Sequence, residues 1–453
     1  MQRIHMIAIG GSVMHQLALT LQKKGLDITG SDDEIFDPAR ETLANAGLLP
    51  EAMGWFPEKI TGELDAVILG MHAKRDNPEL QKAQQLGIKV YSFPEFIFEE
   101  TKNKQRIVIA GSHGKSTITA MVMHVLNGVG RDTDYVVGAS VEGFEGRVKL
   151  THEASIIVIE GDEYPSSALD SRPKMLNYHH HIGLISGIAW DHINVYPDED
   201  EYVRQFDHFA DASPKAGSLV FNEDDSVASI ICRKERADVT PLEYTEHPHV
   251  IKNGITYLKT DQGEIPLKVF GRHNMYNISG ALRVCNRIGI TDEKFYGVIQ
   301  SFSGASSRLE TLAEGAGNRI FKDFAHAPSK VEATTRALQE QYPDRTLSAA
   351  LELHTFSSLD PSFIAQYKGS LDGAQEAAIY YNVEAAERKG RQPLTQEAIR
   401  KAFGHKNLMV FTNSEELETW IKAQKSPNRN VALMSSASFN GLPLKTLAED
   451  LVG

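Results

Sequence analysis

The chain has 453 residues with 41% apolar and 24% charged composition, which suits two or three globular domains and excludes wholesale disorder, collagen-like and coiled-coil architectures. No apolar run approaches the ~18 residues of a membrane span, and Gly10-Gly11-Ser12 with His15-Gln16 interrupt the N-terminal apolar stretch where a signal peptide would continue. Lys and Arg number 47 against 60 Asp and Glu, so the net charge of −13 argues against broad nucleic-acid binding and leaves any anionic ligand to local cations and backbone amides.

In chain order, residues 3–9 read as a strand, and Met14, Leu17, Ala18 and Leu21 then recur at helical spacing on one face. A second strand reaches Thr29 and a third spans residues 66–69. The polar stretch 99–105 reads as a linker, after which the pattern restarts with strand 106–110, a glycine turn and a helix carrying Ile118, Met121, Val122 and Val125 on one side. Strand 155–159 ends in Glu160-Gly161-Asp162-Glu163, and the apolar run 182–189 ends at Trp190-Asp191-His192. Past Gly304, strand-like segments at 320–324, 347–353, 377–381, 408–411 and 431–434 alternate with helical patterns. Such alternation predicts an α/β protein with parallel, doubly wound sheets. Three domains are expected: Rossmann-like over residues 1–100, a central parallel sheet of the P-loop ATPase type over 105–304, and a second Rossmann-like domain over 305–453. Cys232 and Cys285 cannot build a disulfide framework, which fits a reducing cytoplasm.

The sharpest chemical signal is Gly111-Ser112-His113-Gly114-Lys115-Ser116-Thr117, between a strand and a helix. A glycine turn there lets backbone N–H groups cradle phosphates at the positive end of the helix. Lys115 would meet the terminal phosphates and Ser116 would offer its hydroxyl to Mg²⁺. The loop is shorter than G-x-x-x-x-G-K-[ST], since two residues separate Gly111 from Gly114. Glu160 and His192 both fall beyond the carboxyl ends of strands, where open parallel sheets bind ligands. Glu160 with Ser116 suits a hard cation, and His192 would complete a second cation's shell or polarise a bound oxygen. The plainer alternatives are a solvated acidic turn for residues 160–163 and a satisfied loop histidine for His192. His179-His180-His181 is not read as a metal site, because adjacent residues of an extended segment point to opposite faces; a solvated strand entrance is expected.

Asn274 and Asn277, in Gly271-Arg272-His273-Asn274-Met275-Tyr276-Asn277, offer amides to a purine edge or cap the following helix. Arg308 would reach a transferring phosphoryl group and Asp323 a ribose hydroxyl, with an ion pair or a helix cap as the default alternatives. At the N-terminus, Gly10-Gly11-Ser12 follows the first strand and Asp32 the second. This geography is Rossmann-like, but His15 stands where the third glycine belongs, so a sheet-top diphosphate site fits at least as well as NAD.

Taken together and in order, GSHGKST, IEGDEY, AWDHINVYP, GRHNMYN, SSRLE and KDFAHAPSKV resemble the Mur ligases, ATP-dependent enzymes that attach amino acids to UDP-N-acetylmuramate in peptidoglycan synthesis. The resemblance spans nearly the whole chain. It implies that Gly111 to Thr117 hold ATP, with Lys115 and Ser116 at the phosphates and Mg²⁺, and that Ser116, Glu160 and His192 serve the metals. It further places Asn274 and Asn277 near adenine, Arg308 at the phosphates, Asp323 near the ribose, and Gly10, Gly11, Ser12 and Asp32 at the UDP-sugar. Lys115, His192 and Arg308 are the expected catalytic residues. Some subgroups carry a carbamylated lysine fifteen residues after the metal-site histidine; here that position is Asp207.

Gly30-Ser31-Asp32 and Asn77-Pro78-Glu79-Leu80 are similar to the members that act on UDP-N-acetylmuramate itself. The turn Gly11-Ser12-Val13-Met14, similar to G-T-F-M, implies the subgroup that reattaches the tripeptide L-alanyl-γ-D-glutamyl-meso-diaminopimelate during recycling; the alternative adds L-alanine. Leu353-His354-Thr355 and Ser435-Ser436-Ala437-Ser438-Phe439 stand where recycling enzymes read P-R-S and S-N-G-G-F, in the domain expected to bind the amine. The implied mechanism forms an acyl phosphate from the lactoyl carboxylate and ATP, then an amide, with closure about a hinge near Gly304. An NAD(P)-dependent oxidoreductase would leave the loop at Gly111 unexplained, and a GTPase would need an N-K-x-D segment that the chain lacks.

Overall fold

Near-continuous aliphatic runs form the strands at the centre of this protein. Ile107 to Ala110 and Ile156 to Ile159 are at most 1% exposed, as strands covered on both faces by helices must be. The computed structural model describes residues 2–191, 195–306, 308–315, 317–388, 390 and 392–453. They fall into two compact units, one of residues 2–188 with Val203–Tyr244 and Gly280–Thr291, the other of Ala189–Tyr202, Thr245–Ser279 and Asp292–Gly453.

The first unit holds two sheets. Strands β1 (Arg3–Ile7), β2 (Asp27–Ser31), β3 (Ala66–Leu69) and β4 (Val90–Ser92) are all parallel, in the order β2-β1-β3-β4. Asn77 caps helix Pro78–Gln85 by accepting from the N–H groups of Glu79 and Leu80. A capping box between Ser92 and Glu95 opens helix Phe93–Glu100. That helix consumes Glu99 and Glu100, and Gln105 already belongs to the next strand, so the expected linker shrinks to four residues, 101–104. Arg106 pins it: the guanidinium donates to the carbonyls of Thr101, Lys102, Lys104 and His179.

The second sheet comprises β5 (Gln105–Ala110), β6 (Asp134–Val136), β7 (Val148–Lys149), β8 (Ile156–Glu160), β9 (Ile182–Ile185), β10 (Ser218–Asn222) and β11 (Thr240–Tyr244). Its order is β11-β10-β9-β5-β8-β6-β7, with only β6 and β7 antiparallel. β5 lies between β8 and β9, so the chain departs from it in both directions and opens a crevice beyond its carboxyl end. The histidines before β9 are not a solvated entrance. His180 is 2% exposed and packs on Phe209, His181 Nδ1 accepts from the Arg106 N–H, and only His179 is exposed. The apolar run predicted to continue to residue 189 ends as a strand at Ile185.

In the second unit, β12 (His249–Lys252), β13 (Ile255–Thr260) and β14 (Gly263–Pro266) form an antiparallel meander that the sequence reading did not anticipate. β15 (Glu310–Glu314), β16 (Arg319–Asp323), β17 (Thr346–Glu352), β18 (Glu376–Tyr380), β19 (Leu408–Phe411) and β20 (Arg429–Met434) give the order β15-β16-β20-β17-β18-β19, antiparallel only at β15. Three strands begin one residue earlier than predicted, at Arg319, Thr346 and Glu376. Each of these is polar and half-buried, so its backbone joins the ladder although its side chain carries no apolar signal. The α/β class with parallel-rich, doubly wound sheets agrees with the sequence reading. No helix among the described residues is long and apolar enough to cross a membrane.

Candidate functional site

The loop between β5 and helix Lys115–Gly128 has the backbone that its glycines permit. Gly111 has φ 125°, and a Cβ there would overlap Ser186 Oγ and lie 2.9 Å from the Ser186 nitrogen. Gly114, at φ 75°, occupies the N-cap position, and no side chain caps this helix. Its first-turn amides therefore stay available to an anion. The end of β9 holds the loop from the side: Ser112 N–H donates to the Gly187 carbonyl at 2.8 Å, and Ser186 Oγ donates to the His113 carbonyl. Thr117, in the first turn, is buried.

The charged groups around the loop are already matched. Ser116 Oγ donates to Glu160 Oε1 at 2.8 Å, and the Gly138 N–H donates to Glu160 Oε2 at 2.6 Å. Lys115 Nζ donates to the Gly111 carbonyl at 2.7 Å and to Glu163 Oε2 at 2.8 Å. Lys174 pairs with Asp162 at 2.6 Å. Burial alone would lower the Lys115 pKa, but Glu163 beside it, helped by Asp162 and Glu160, holds it above the usual lysine value. Glu163 is 2% exposed, so the acidic turn is no solvated loop. Sequence reasoning grouped Glu163 with its neighbours and missed its partner; its place three residues after Glu160 was the only signal.

Ser116 and Glu160 present two oxygen donors, which fits Mg²⁺, a cation that keeps waters and shares its shell with phosphates. Among the described residues, no group of three or more His, Cys, Asp or Glu is placed to hold a metal. His192 lies outside the described residues. A cleft of about 600 Å³, lined by Lys102, His181, Lys215 and Arg287 among others, opens at the opposite end of β5 and β9. Ligands of open parallel sheets bind beyond the carboxyl ends of the strands, so this cleft lies away from the phosphate-loop crevice.

In the N-terminal sheet, Gly10 N–H donates to Asp32 Oδ2 at 2.7 Å and Asp33 N–H to Oδ1 at 3.0 Å. Burial raises the Asp32 pKa against these two bonds. Gly10 and Asp32 thus meet beyond the ends of β1 and β2, with Gly11 and the exposed Ser12 in the same turn. His15 fills the missing-glycine position by turning back on the loop, its Nδ1 2.8 Å from the Gly11 carbonyl.

Helix Arg272–Arg287 starts before Asn274, so neither asparagine caps it. Asn274 donates to the Phe270 carbonyl at 2.8 Å and accepts from Asn277 at 3.2 Å, one turn further along the same face. Asp323 is no helix cap either. It ends β16 and accepts from the N–H groups of Leu309 at 2.6 Å and Ala325 at 2.7 Å, tying two loops together. Burial raises its pKa, opposed first by Arg308. The Arg308 guanidinium lies over the Phe324 ring at 4.5 Å. Asp191 and Lys330, from two separate motifs, meet at 3.5 Å. Asp207, in the first unit, pairs with Lys234 and Arg236 in a surface network.

Residues 3–105 match the Mur ligase family catalytic domain and residues 109–285 the Mur ligase middle domain. The UDP-N-acetylmuramate–L-alanine ligase of Sulfurihydrogenibium sp. is 31% identical over 436 residues, covering 93% of this chain and 92% of the relative. The chain belongs to the Mur ligase family. Like other Mur ligases it is an ATP-dependent ligase of carbon–nitrogen bonds, and the family works in peptidoglycan synthesis. Among solved Mur ligase structures, the UDP-N-acetylmuramate–alanine ligase of Thermotoga maritima superposes with a TM-score of 0.72 at 18% identity, over 100% of this chain and 98% of that one. A murein peptide ligase from Psychrobacter arcticus superposes with a TM-score of 0.68 at 20% identity, over 100% and 99%. At these identities both show the Mur ligase fold and no more.

Proposed function

We propose that this Mur ligase joins the lactoyl carboxylate of UDP-N-acetylmuramate to the amine of L-alanine in the cytoplasm. The loop carries the ATP-dependent half of this reading, because Lys115 and the Ser116–Glu160 pair flank an uncapped helix N-terminus at the switch point of the sheet. The L-alanine half rests on the relative that covers nearly the full chain. Residues 1–100, 105–304 and 305–453 are assigned to UDP-sugar, ATP and amine.

In the first stage the carboxylate attacks the γ-phosphorus of ATP, ADP leaves, and an acyl phosphate forms. The amine then attacks the acyl carbon, phosphate leaves and the amide is complete, with the amine's proton released. Lys115 and Arg308 offset charge on the transferring phosphoryl oxygens, and the loop amides orient them. Mg²⁺, held by Ser116 and Glu160 and by His192, would supply electrostatic screening of the phosphates. Asn274 and Asn277 are assigned to adenine and Asp323 to the ribose. Gly10, Gly11, Ser12 and Asp32 are assigned to the UDP-sugar, where the turn amides meet the diphosphate.

The second reading takes the tripeptide L-alanyl-γ-D-glutamyl-meso-diaminopimelate as the acceptor, on the strength of the Gly11-Ser12-Val13-Met14 turn. Phosphate release with UDP-N-acetylmuramate and ATP, compared between L-alanine and the tripeptide, separates the two. Turnover with L-alanine is expected. Turnover with the tripeptide alone would overturn the acceptor and leave the ligase reading intact.

A further inference from the structure

Glu163 has no part in the chemistry above, yet it holds the one lysine of the phosphate loop. Lys115 Nζ is tied between Glu163 Oε2 at 2.8 Å and the Gly111 carbonyl at 2.7 Å, with the Glu163 side chain buried and that of Lys115 half-buried. These two bonds use two of the three N–H donors of the ammonium, so a phosphate that reaches Lys115 competes with Glu163 for its charge. Glu160, Asp162 and Glu163 face Lys115 and Lys174 here, and the Lys174–Asp162 pair is complete in itself. Glu160, Glu163 and Lys115 by themselves carry one net negative charge before any ligand arrives. A nucleotide without its cation brings further negative charge into this buried setting, where Coulomb terms are large.

We propose that Glu163 is a positioning residue that makes nucleotide binding depend on the accompanying divalent cation. It holds Lys115 back from a metal-free nucleotide and repels that nucleotide's phosphates. A nucleotide arriving with its cation brings positive charge that offsets the Glu163 carboxylate while Lys115 is shared with the phosphates. This rests on the assignment of ATP to the loop.

The test is calorimetric titration of the full chain with a non-hydrolysable ATP analogue, with Mg²⁺ and with EDTA. For Glu163→Gln we expect metal-free affinity to rise about tenfold while Mg²⁺-supported affinity changes less than about threefold, as removal of one buried charge beside an anion requires. Glu163→Asp keeps the charge and should keep the wild-type ratio of the two affinities to within about twofold, because the effect is electrostatic and not one of packing. Unchanged or weaker metal-free binding in Glu163→Gln, or loss of metal discrimination in Glu163→Asp, would overturn the proposal. Wild-type protein that bound the analogue in neither buffer would instead defeat the ATP assignment.

Discussion

The place of Lys115, at a helix start after a glycine turn, was legible from its motif alone, and its assignment to phosphate rests on that motif. The structure adds that it is charged, half-buried and held in place, with desolvation outweighed by Glu163. Lys115→Ala should lower the rate of ATP-dependent amide formation by about 10²–10³-fold, the scale of removing one preorganised electrostatic contact. A rate within a few-fold of wild type, in a variant that melts normally, would remove Lys115 from the reaction. Gly111→Ala tests the loop itself. Its methyl would overlap Ser186 in a backbone region that side chains avoid, and overpacking of this kind costs about 1–3 kcal/mol. The urea midpoint should fall accordingly; an unchanged midpoint would show that the loop has room to relax.

At the scale of elements, apolar runs located the strands and polar starts hid their first residues. The histidine triplet before β9 shows where alternation alone misleads. His179 has φ 48°, so the segment is not evenly extended, and His180 turns into the core. Its Nε2 lies 2.9 Å from Ser213 Oγ, and burial, with His181, His179 and Arg106 nearby, pushes its pKa down to about 3. Between the ordinary 6.5 and about 3, the unfolded chain binds a proton that the folded chain refuses. Stability from this group is therefore full above pH 6.5 and lost as pH falls through that window. From pH 7 to pH 5 the loss is about 2 kcal/mol. Urea unfolding at the two pH values checks it: His180→Gln should flatten the dependence, and an equally steep variant would exclude His180 as the source.

For the whole molecule, ligand-linked stability asks which site the fold built. A ligand that binds only the native state at a hundred times its Kd adds about 2.7 kcal/mol. ATP with Mg²⁺ should raise the melting midpoint in a concentration-dependent way, while NADH should not. The N-terminal turn explains the second half of this expectation, because His15, folded onto the Gly11 carbonyl, stands where a dinucleotide site needs its third glycine for close helix–strand packing. Stabilisation by NADH and not by ATP would return the oxidoreductase reading.

Family, fold class, the glycine turn before helix Lys115–Gly128 and most strand positions followed from sequence because their causes are local. A strand-turn-helix with two glycines sets its own backbone, and aliphatic runs mark where a covered sheet must pass. The pairings did not follow. Glu163 on Lys115, Asp32 on the Gly10 amide, and Asp191 beside Lys330 join residues 48, 22 and 139 positions apart. The β12–β14 meander also escaped, since its strands HVIK, ITYLKT and GEIP are short and bury only Thr256 and Leu258 fully. Which carboxylate meets which cation depends on strand order and register. Those are decided by how whole sheets bury their apolar faces, and no window of sequence contains that information.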